Sequence, residues 1–562
     1  MVTHTPFFLR DAATLDAIDA ISAADDIVVY CGAGVSIDRT GLSWPMMIDG
    51  VFNEAKNRDR RNRERDHKTL ELILNGIKDQ PQRASIISQF FTEGRHLSAR
   101  DFLTPKLQQV LYEDNGWSEG LLLRHLVRLA INGVLRVHSL TILTTNYDTY
   151  IEEEFDGVYE RLVRTIAEVG GSQSVPGLEV CVADNDPLST AWHSRITHEP
   201  HRTDAKVRLV YLHGRVPRAG GASEGTIVFD ERSYSDTRAA VADHITETIR
   251  GRALLVLGAS LTDGPLIEAL GRTAQGAEGR FALVRPDLPQ LDPSPVTEYT
   301  SHGAKHHVTE EDAKRILAYR GQHLGVKVLH PLGHSQTAQF VHELGIAIRL
   351  HRSTKKQYRA AKTDFSYERR LQRWANDWGS NHRAPGDAHQ YLADALKNQI
   401  VTRIPEKDGE NASLRLEVWV RMRPGTANRT LTLFANSTGP FLIEDHLLRR
   451  EEISSTSTNA SVCTLLMGKP QVNTLSDLRG EVPRPTRWTT FLSIPIYLHV
   501  RREISKRTFS GIVPTGVVTL CGQGESRLAE RIEEDMTLEQ IDDLKAAMID
   551  AGRDLLRPLN WL

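Results

Sequence analysis

The stretch Ile27-Val28-Val29-Tyr30-Cys31-Gly32-Ala33-Gly34-Val35-Ser36 limits the folds open to this chain more than any other. The apolar run is the length of one buried strand. It stops at a Gly-Ala-Gly turn, after which a helical segment is expected. A strand feeding a glycine turn and a helix brings backbone N–H groups to where a phosphate can approach them. The same residues also suit a plain tight turn. They depart from the three-glycine dinucleotide fingerprint, because Ile37 stands where the third glycine would be.

Three later stretches also read as strands with chemistry at their C-terminal ends. Leu140-Thr141-Ile142-Leu143-Thr144-Thr145-Asn146-Tyr147-Asp148 is a β-branched run ending in polar residues, with a helix expected from about Thr149. Asn146 and Asp148 fit a ligand site at a strand end, and equally an Asx-turn or a helix cap. Val207-Arg208-Leu209-Val210-Tyr211-Leu212-His213-Gly214 ends in a histidine that suits either a structural hydrogen bond or proton transfer. Ala253-Leu254-Leu255-Val256-Leu257 ends in Gly258-Ala259-Ser260, and Asp263 is a candidate N-cap for a helix through Leu266 and Leu270.

Further strands are expected at Phe281–Val284 and Val326–Leu329. Helices are expected over residues 11–24, through most of 46–135, after Thr309-Glu310-Glu311-Asp312, and from Ser335 to about Leu350. Residues 160–205 read as a long loop with some strand, and Thr40-Gly41-Leu42-Ser43-Trp44-Pro45 as a loop with an aromatic near its tip. Strands alternating with helices predict an α/β fold, a Rossmann-like parallel sheet with helices on both faces.

The second half changes character. Residues 352–383 are basic and polar and read as a connecting helix. Ala388 to Ile400 is amphipathic. Leu414-Arg415-Leu416-Glu417-Val418-Trp419-Val420 alternates as a half-buried strand, and Thr430–Ala435 is expected to pair with it across Pro424-Gly425. Strands are expected at Thr490–Leu498 and Gly516–Leu520, and Thr537-Leu538-Glu539-Gln540 opens a closing helix with a capping box. This predicts a smaller α+β C-terminal domain with an antiparallel sheet. The division expected is 1–352, a connecting segment 353–384, and 385–562. A length of 562 residues suits more than one core.

Composition narrows the function. A net charge of −3 gives no global attraction to nucleic acid. The local runs Lys56–Asp66, Arg501-Arg502 and Lys506-Arg507 suit solvated surfaces, so no nucleic-acid partner is expected. No apolar run is long enough to span a bilayer, and Met1-Val2-Thr3-His4 does not open a signal peptide. Cys31, Cys181, Cys463 and Cys521 are far apart and form no Cys-x-x-Cys pair. That argues against a cysteine-based zinc ribbon or a disulfide framework, and fits a cytoplasmic protein.

Four motifs in order, Gly32-Ala33-Gly34-Val35-Ser36, Thr144-Thr145-Asn146-Tyr147-Asp148, Leu212-His213-Gly214 and Gly258-Ala259-Ser260, resemble those of the sirtuin-like domain over about residues 10–350. Thr40–Pro45 sits where that family has a Gly-Ile-Pro loop and departs from it. With no four-cysteine ribbon and no zinc expected, the chain more closely resembles the bacterial antiphage-defence branch, whose members hydrolyse NAD. The resemblance implies NAD as substrate, with Gly32, Ala33, Gly34 and Ser36 at the pyrophosphate and Gly258 and Ser260 at the phosphate or adenosine side. It implies Asn146 orienting the ribose or a water, Asp148 holding a hydroxyl or the nicotinamide amide, and His213 as general base. It also implies a homo-oligomer and a small-molecule or protein trigger at the C-terminal domain. The alternatives are deacylation, ADP-ribosyl transfer, or a sensor that binds NAD or an ADP-ribose derivative without turnover.

Residues 385–562 resemble a GAF sensor domain through Gly468-Lys469-Pro470 after Leu465-Leu466-Met467, and through the strands Phe491–Ile496 and Gly516–Leu520.

Overall fold

A computed structural model describes residues 12–556, apart from 58–63, 78, 93–98, 113–120, 170–173, 185–188, 219–220, 275–278, 286–297, 302–303, 308–309, 332–333, 355–384, 406–413, 421–429, 438–449, 454–456, 469, 475–477, 479–487, 505–506 and 524–527. The expected connecting helix, the Pro424-Gly425 turn, Lys469 and the cap at Thr309 lie outside the described residues.

The N-terminal sheet has eight strands: β1 (Asp26–Cys31), β2 (Ser139–Thr144), β3 (Gly177–Ala183), β4 (Trp192–His198), β5 (Lys206–Tyr211), β6 (Ala253–Leu257), β7 (Arg280–Leu283) and, after the hairpin β8 (Glu298–Ser301) and β9 (Ala304–His307), β10 (Lys327–Leu329). Their order is β10-β7-β6-β1-β2-β5-β3-β4. Neighbours are parallel except at the edge, where β4 runs antiparallel to β3.

Alternation decides which layer each side chain joins. From β1, Ile27, Val29 and Cys31 enter one apolar cluster, and Val28 and Tyr30 enter the other. The first face is covered by α1 (Ala12–Ala23), α7 (Leu121–Val134), α8 (Tyr150–Val169) and α12 (His334–Thr354). The second is covered by α9 (Glu231–Ile249), α10 (Gly264–Arg272) and α11 (Glu310–His323). Two covered faces explain why the strands read as continuous apolar runs.

Between β1 and β2, the chain makes a separate helical layer. After a single helical turn, α2 (Ile37–Thr40), come α3 (Trp44–Asn57), α4 (Glu64–Asn75), α5 (Gln80–Thr92) and α6 (Ala99–Tyr112). Their own core, with Ile48, Phe52, Ile87, Phe91 and Phe102, closes over Tyr147, Val216 and Phe229 from the strand-end loops.

The C-terminal sheet is antiparallel and six-stranded, in the order β13-β12-β11-β16-β15-β14. Its strands are β11 (Leu414–Val420), β12 (Thr430–Asn436), β13 (Arg450–Glu452), β14 (Gln471–Thr474), β15 (Thr490–Ile504) and β16 (Arg507–Gly522). One face packs with α13 (Pro385–Ala395) and α15 (Leu538–Leu556), the other with α14 (Ala460–Met467). The capping box forms: Thr537 Oγ1 accepts from the Gln540 amide at 3.3 Å, and Gln540 Oε1 from the Thr537 amide at 2.8 Å. One apolar cluster continues from the N-terminal sheet into this one, and α12 packs on α1 and α7 and also on α14 and β16.

Several expectations change. The long loop over 160–205 is instead the end of α8 followed by β3 and β4. Phe155, Val158, Leu162 and Ile166 make a helical stripe that packs on the first-face cluster, so helix continues to Val169. Trp44 is not at a loop tip but opens α3, where it packs on Tyr147 and Phe229. The helical segment expected after the glycine turn is present as a 3-10 turn, Ala33–Val35, and the four residues of α2. β15 and β16 extend beyond the spans expected, and β8, β9, β13, β14 and α14 were not anticipated.

Candidate active site

The register puts four chain exits at one level. Cys31 lies beside Thr144 and Leu257, and Thr144 beside Tyr211. Each is the last residue of its strand, so the loops beginning at Gly32, Thr145, Leu212 and Gly258 emerge together. β1 and β6 are adjacent although the chain passes through β2 to β5 between them. This reversal opens a crevice at the carboxyl ends of the strands, where open α/β sheets take ligands.

The glycines let two of these loops touch. The Gly32 amide donates to Leu257 O at 2.9 Å and the Gly34 amide to Gly258 O at 3.0 Å. A Cβ on Gly34 would lie 2.6 Å from the Gly258 Cα. The Val35 and Ser36 amides donate to the carbonyls of Gly32 and Ala33. Four of the loop's five amides are thus spent within the protein, and the loop presents Ala33 and the Ser36 hydroxyl rather than a row of open N–H groups. In the β6 loop, Leu261 holds a φ of +57° and is fully buried. A left-handed leucine is strained, and its burial holds the loop in place.

A cavity of about 690 Å³ fills the crevice. Of the residues singled out from sequence, Gly32, Ala33, Ser36, Asn146, Asp148, His213, Gly258 and Ser260 line it. Gly34 is placed behind its wall, against Gly258. The helical layer supplies the opposite side through Trp44, Met47 and Pro81. Trp44 lies 6.0 Å from Tyr147 and 5.8 Å from Phe229, ring centre to ring centre.

Asn146, Ser36 and Asp148 form a directed chain. Asn146 Nδ2 donates to Ser36 Oγ at 3.0 Å, and Ser36 Oγ donates to Asp148 Oδ2 at 3.0 Å. A buried carboxylate needs its donor, so the serine proton points to Asp148 and its lone pair to Asn146. The amide of Asn146 is therefore oriented, with Oδ1 left as its acceptor. Asp148 Oδ1 also accepts from the Tyr150 amide at 3.3 Å, so the Asx-turn reading of Asp148 holds as well.

Burial pushes the Asp148 carboxyl up to about 6, against the lowering pull of the Ser36 bond. The sign of its effect on stability follows. A carboxyl raised on folding makes the protein less stable as pH rises from about 4 to 6, by up to about 3 kcal/mol. The Asp148→Asn variant escapes this cost and loses one hydrogen bond, worth about 1 kcal/mol. It is expected to melt higher than the parent at pH 7.5, with the gain gone near pH 4; thermal melts at both pH values check it.

His213 is buried and meets the Tyr234 ring edge-on at 5.9 Å. Burial lowers its imidazole below the ordinary value, and the Asp263 charge pulls the other way. The ring is thus neutral near pH 7 and able to accept a proton. Gly214, at φ +86°, follows it, and a Cβ there would meet Thr226 O at 2.7 Å.

Sequence reasoning missed Tyr30, Trp44, Tyr147, Phe229 and Tyr234 as cavity residues and read Asp263 only as a cap. Tyr30 carried a signal: a phenol inside a buried strand needs a hydrogen-bond partner at the strand end.

Cys31, Cys181, Cys463 and Cys521 are all free thiols. Among the described residues no cluster of three or more His, Cys, Asp or Glu could hold a metal ion, and no helix is long and apolar enough to cross a membrane. No curated protein matches the chain. Residues 140–308, from β2 past β9, match the family model of the SIR2-like domain, a match that fits an NAD-related function and supports a sirtuin-like domain in the N-terminal part of this chain.

Proposed function

We propose that the chain is a regulated NAD hydrolase that releases nicotinamide and ADP-ribose. The observation that carries this reading is the meeting of the Asn146–Ser36–Asp148 chain and His213 on one cavity at the reversal of strand order. Water attacks C1′ of the nicotinamide ribose, and the C1′–N bond breaks. Its electron pair neutralises the pyridinium ring, so the leaving group needs little acid help. Asn146 Oδ1 holds the ribose or the water, and His213 takes the water's proton. Trp44, Tyr147 and Phe229 line the cavity beside the space for a cationic ring. Gly32, Ala33 and Ser36 lie along the pyrophosphate, Gly258 and Ser260 toward the adenosine side, and Asp148 fixes Ser36 as well as a substrate hydroxyl or amide. Gly34 serves by letting the two loops meet.

Residues 1–352 form the catalytic domain, 353–384 the connection, and 385–562 a GAF-like sensor. An ungated enzyme would drain cellular NAD, which is the reason for a control region. Support comes from α12, which packs on α1 and α7 of the first part and on α14 and β16 of the second. A cytoplasmic homo-oligomer, triggered by a small molecule or protein and acting in antiphage defence, completes the reading and rests on the resemblance.

The test is incubation of the purified full-length chain with NAD, followed by chromatography. Equal amounts of nicotinamide and ADP-ribose are expected. Heat stabilisation by NAD without either product would leave the binding module or an enzyme still awaiting its trigger.

A further inference from the structure

Asp263 carries more hydrogen bonds than a helix cap requires. Its Oδ2 accepts from the Leu266 amide at 3.1 Å, which caps α10. The same oxygen accepts from the Tyr30 hydroxyl at 2.9 Å, and Oδ1 accepts from the Tyr234 hydroxyl at 2.5 Å. The Tyr234 oxygen accepts in turn from the Gly264 amide at 3.0 Å. Both the proton and a lone pair of that hydroxyl are engaged, so the ring is held at two points. Tyr234 is itself placed by the start of α9, where Asp230 and Ser233 form a capping box. This fixed ring is the one that meets His213 edge-on, at an interplanar angle of 69°.

The ionisable groups around His213 come from separate elements. Tyr234 comes from α9 and Asp263 from the β6 loop. Tyr30 reaches Asp263 from β1, and Asp148 shares the cavity from the β2 loop. The His213 carbonyl is tied to the Val228 amide at 3.1 Å, so its backbone is fixed as well.

We propose that Tyr234 and Asp263 are positioning residues for His213, the phenol ring setting the orientation of the imidazole and the half-buried carboxylate favouring the imidazolium as it forms. The proposal rests on His213 acting as general base. When His213 takes a proton from water, positive charge appears in a buried site, and Asp263 is the opposite charge already in place there. Its two phenol bonds and one helix amide hold it still, so little reorganisation is required. The Tyr30 phenol is pushed well above its ordinary value, by burial first and then by the Asp263 charge, and remains a donor.

The experiment uses the full-length protein with ring-labelled histidine. The His213 resonance is identified by its loss in His213→Ala and titrated by NMR. Asp263→Asn keeps an acceptor for the Leu266 amide while removing the charge. It is expected to lower the His213 midpoint by about one pH unit. Tyr234→Phe keeps the ring but removes a donor from Asp263, leaving the carboxylate less neutralised, so the midpoint should rise. In turnover, Asp263→Asn should lower kcat about 10-fold, with KM within about twofold. A His213 midpoint unmoved by Asp263→Asn overturns the proposal. If that variant does not fold, Tyr234→Phe, which leaves the cap intact, decides it by the same titration. A parent protein that binds NAD but releases no nicotinamide is silent or untriggered, and the titration still reports on the Asp263–His213 coupling.

Discussion

Replacing His213 with Ala is expected to lower nicotinamide release about 10²–10⁴-fold, the usual contribution of a positioned general base. Affinity for NAD should change little, because the lost interaction strengthens only as the water gives up its proton. Two features favour a large effect. Burial keeps the imidazole neutral at pH 7, and the ring lines the same cavity as the oriented Asn146 amide. Initial rates over a range of NAD concentrations separate the two parameters. A KM rise at unchanged kcat would make His213 a binding residue, and full activity would remove it from the mechanism. In the parent enzyme, activity should fall as pH drops through about 6. Asp148 then takes up a proton, and the Ser36 hydroxyl loses its ionised acceptor.

Gly258→Ala is the substitution expected to damage the architecture most. Gly258 holds a φ of +63°, and a Cβ there would lie 2.5 Å from the Val35 nitrogen and 2.7 Å from the Gly34 carbonyl carbon. These are backbone atoms, which cannot swing aside as a flexible side chain would. The left-handed conformation alone costs an alanine about 1–2 kcal/mol. Separation of the two loops adds to that and pulls Gly32 away from Leu257. A marked loss of thermal stability together with loss of NAD binding is expected. Gly251→Ala is the control, because Gly251 has a similar φ of +70° with nothing within 4 Å of its Cβ position. It should show the conformational cost alone and leave NAD binding intact. Equal effects from the two variants would mean that contact between the loops contributes little.

Much of this arrangement could be read from the chain. The runs Ile27–Cys31 and Ala253–Leu257 are apolar at every position because helices cover both faces of their sheet, and that pattern distinguishes parallel strands from half-exposed ones. Asn146 and His213 stood out because polar residues follow directly on buried runs. Asp263 was legible as a cap from its place before Pro265 and Leu266, but its two phenol partners were not. Tyr30 and Tyr234 lie 233 and 29 residues away from it along the chain, and no local pattern reports such a distance. The end of α8 was misread because the loop expected over 160–205 overrode the Phe155–Ile166 stripe, which has clear helical spacing. Trp44 was misplaced because its partners, Tyr147 and Phe229, come from other strand-end loops.

The sequence alone determined the strands β1, β2, β5, β6, β7 and β10, the layered α/β character of the first part, the antiparallel pairing of β11 with β12 in the second, and the residues that end the central strands. These properties follow from the period of apolar residues and from turn chemistry, which act over a few neighbours. The tertiary structure alone decided that β6 returns beside β1, that four strand ends share one level, and that the glycine loop spends its amides on the protein. It alone decided that Asn146, Ser36 and Asp148 form a directed chain, and that Tyr234, bonded to Asp263, meets His213 edge-on. Each depends on strand register and on hydrogen bonds between residues far apart in the chain, and such bonds become fixed only when the whole sheet is assembled and water has left the crevice's walls.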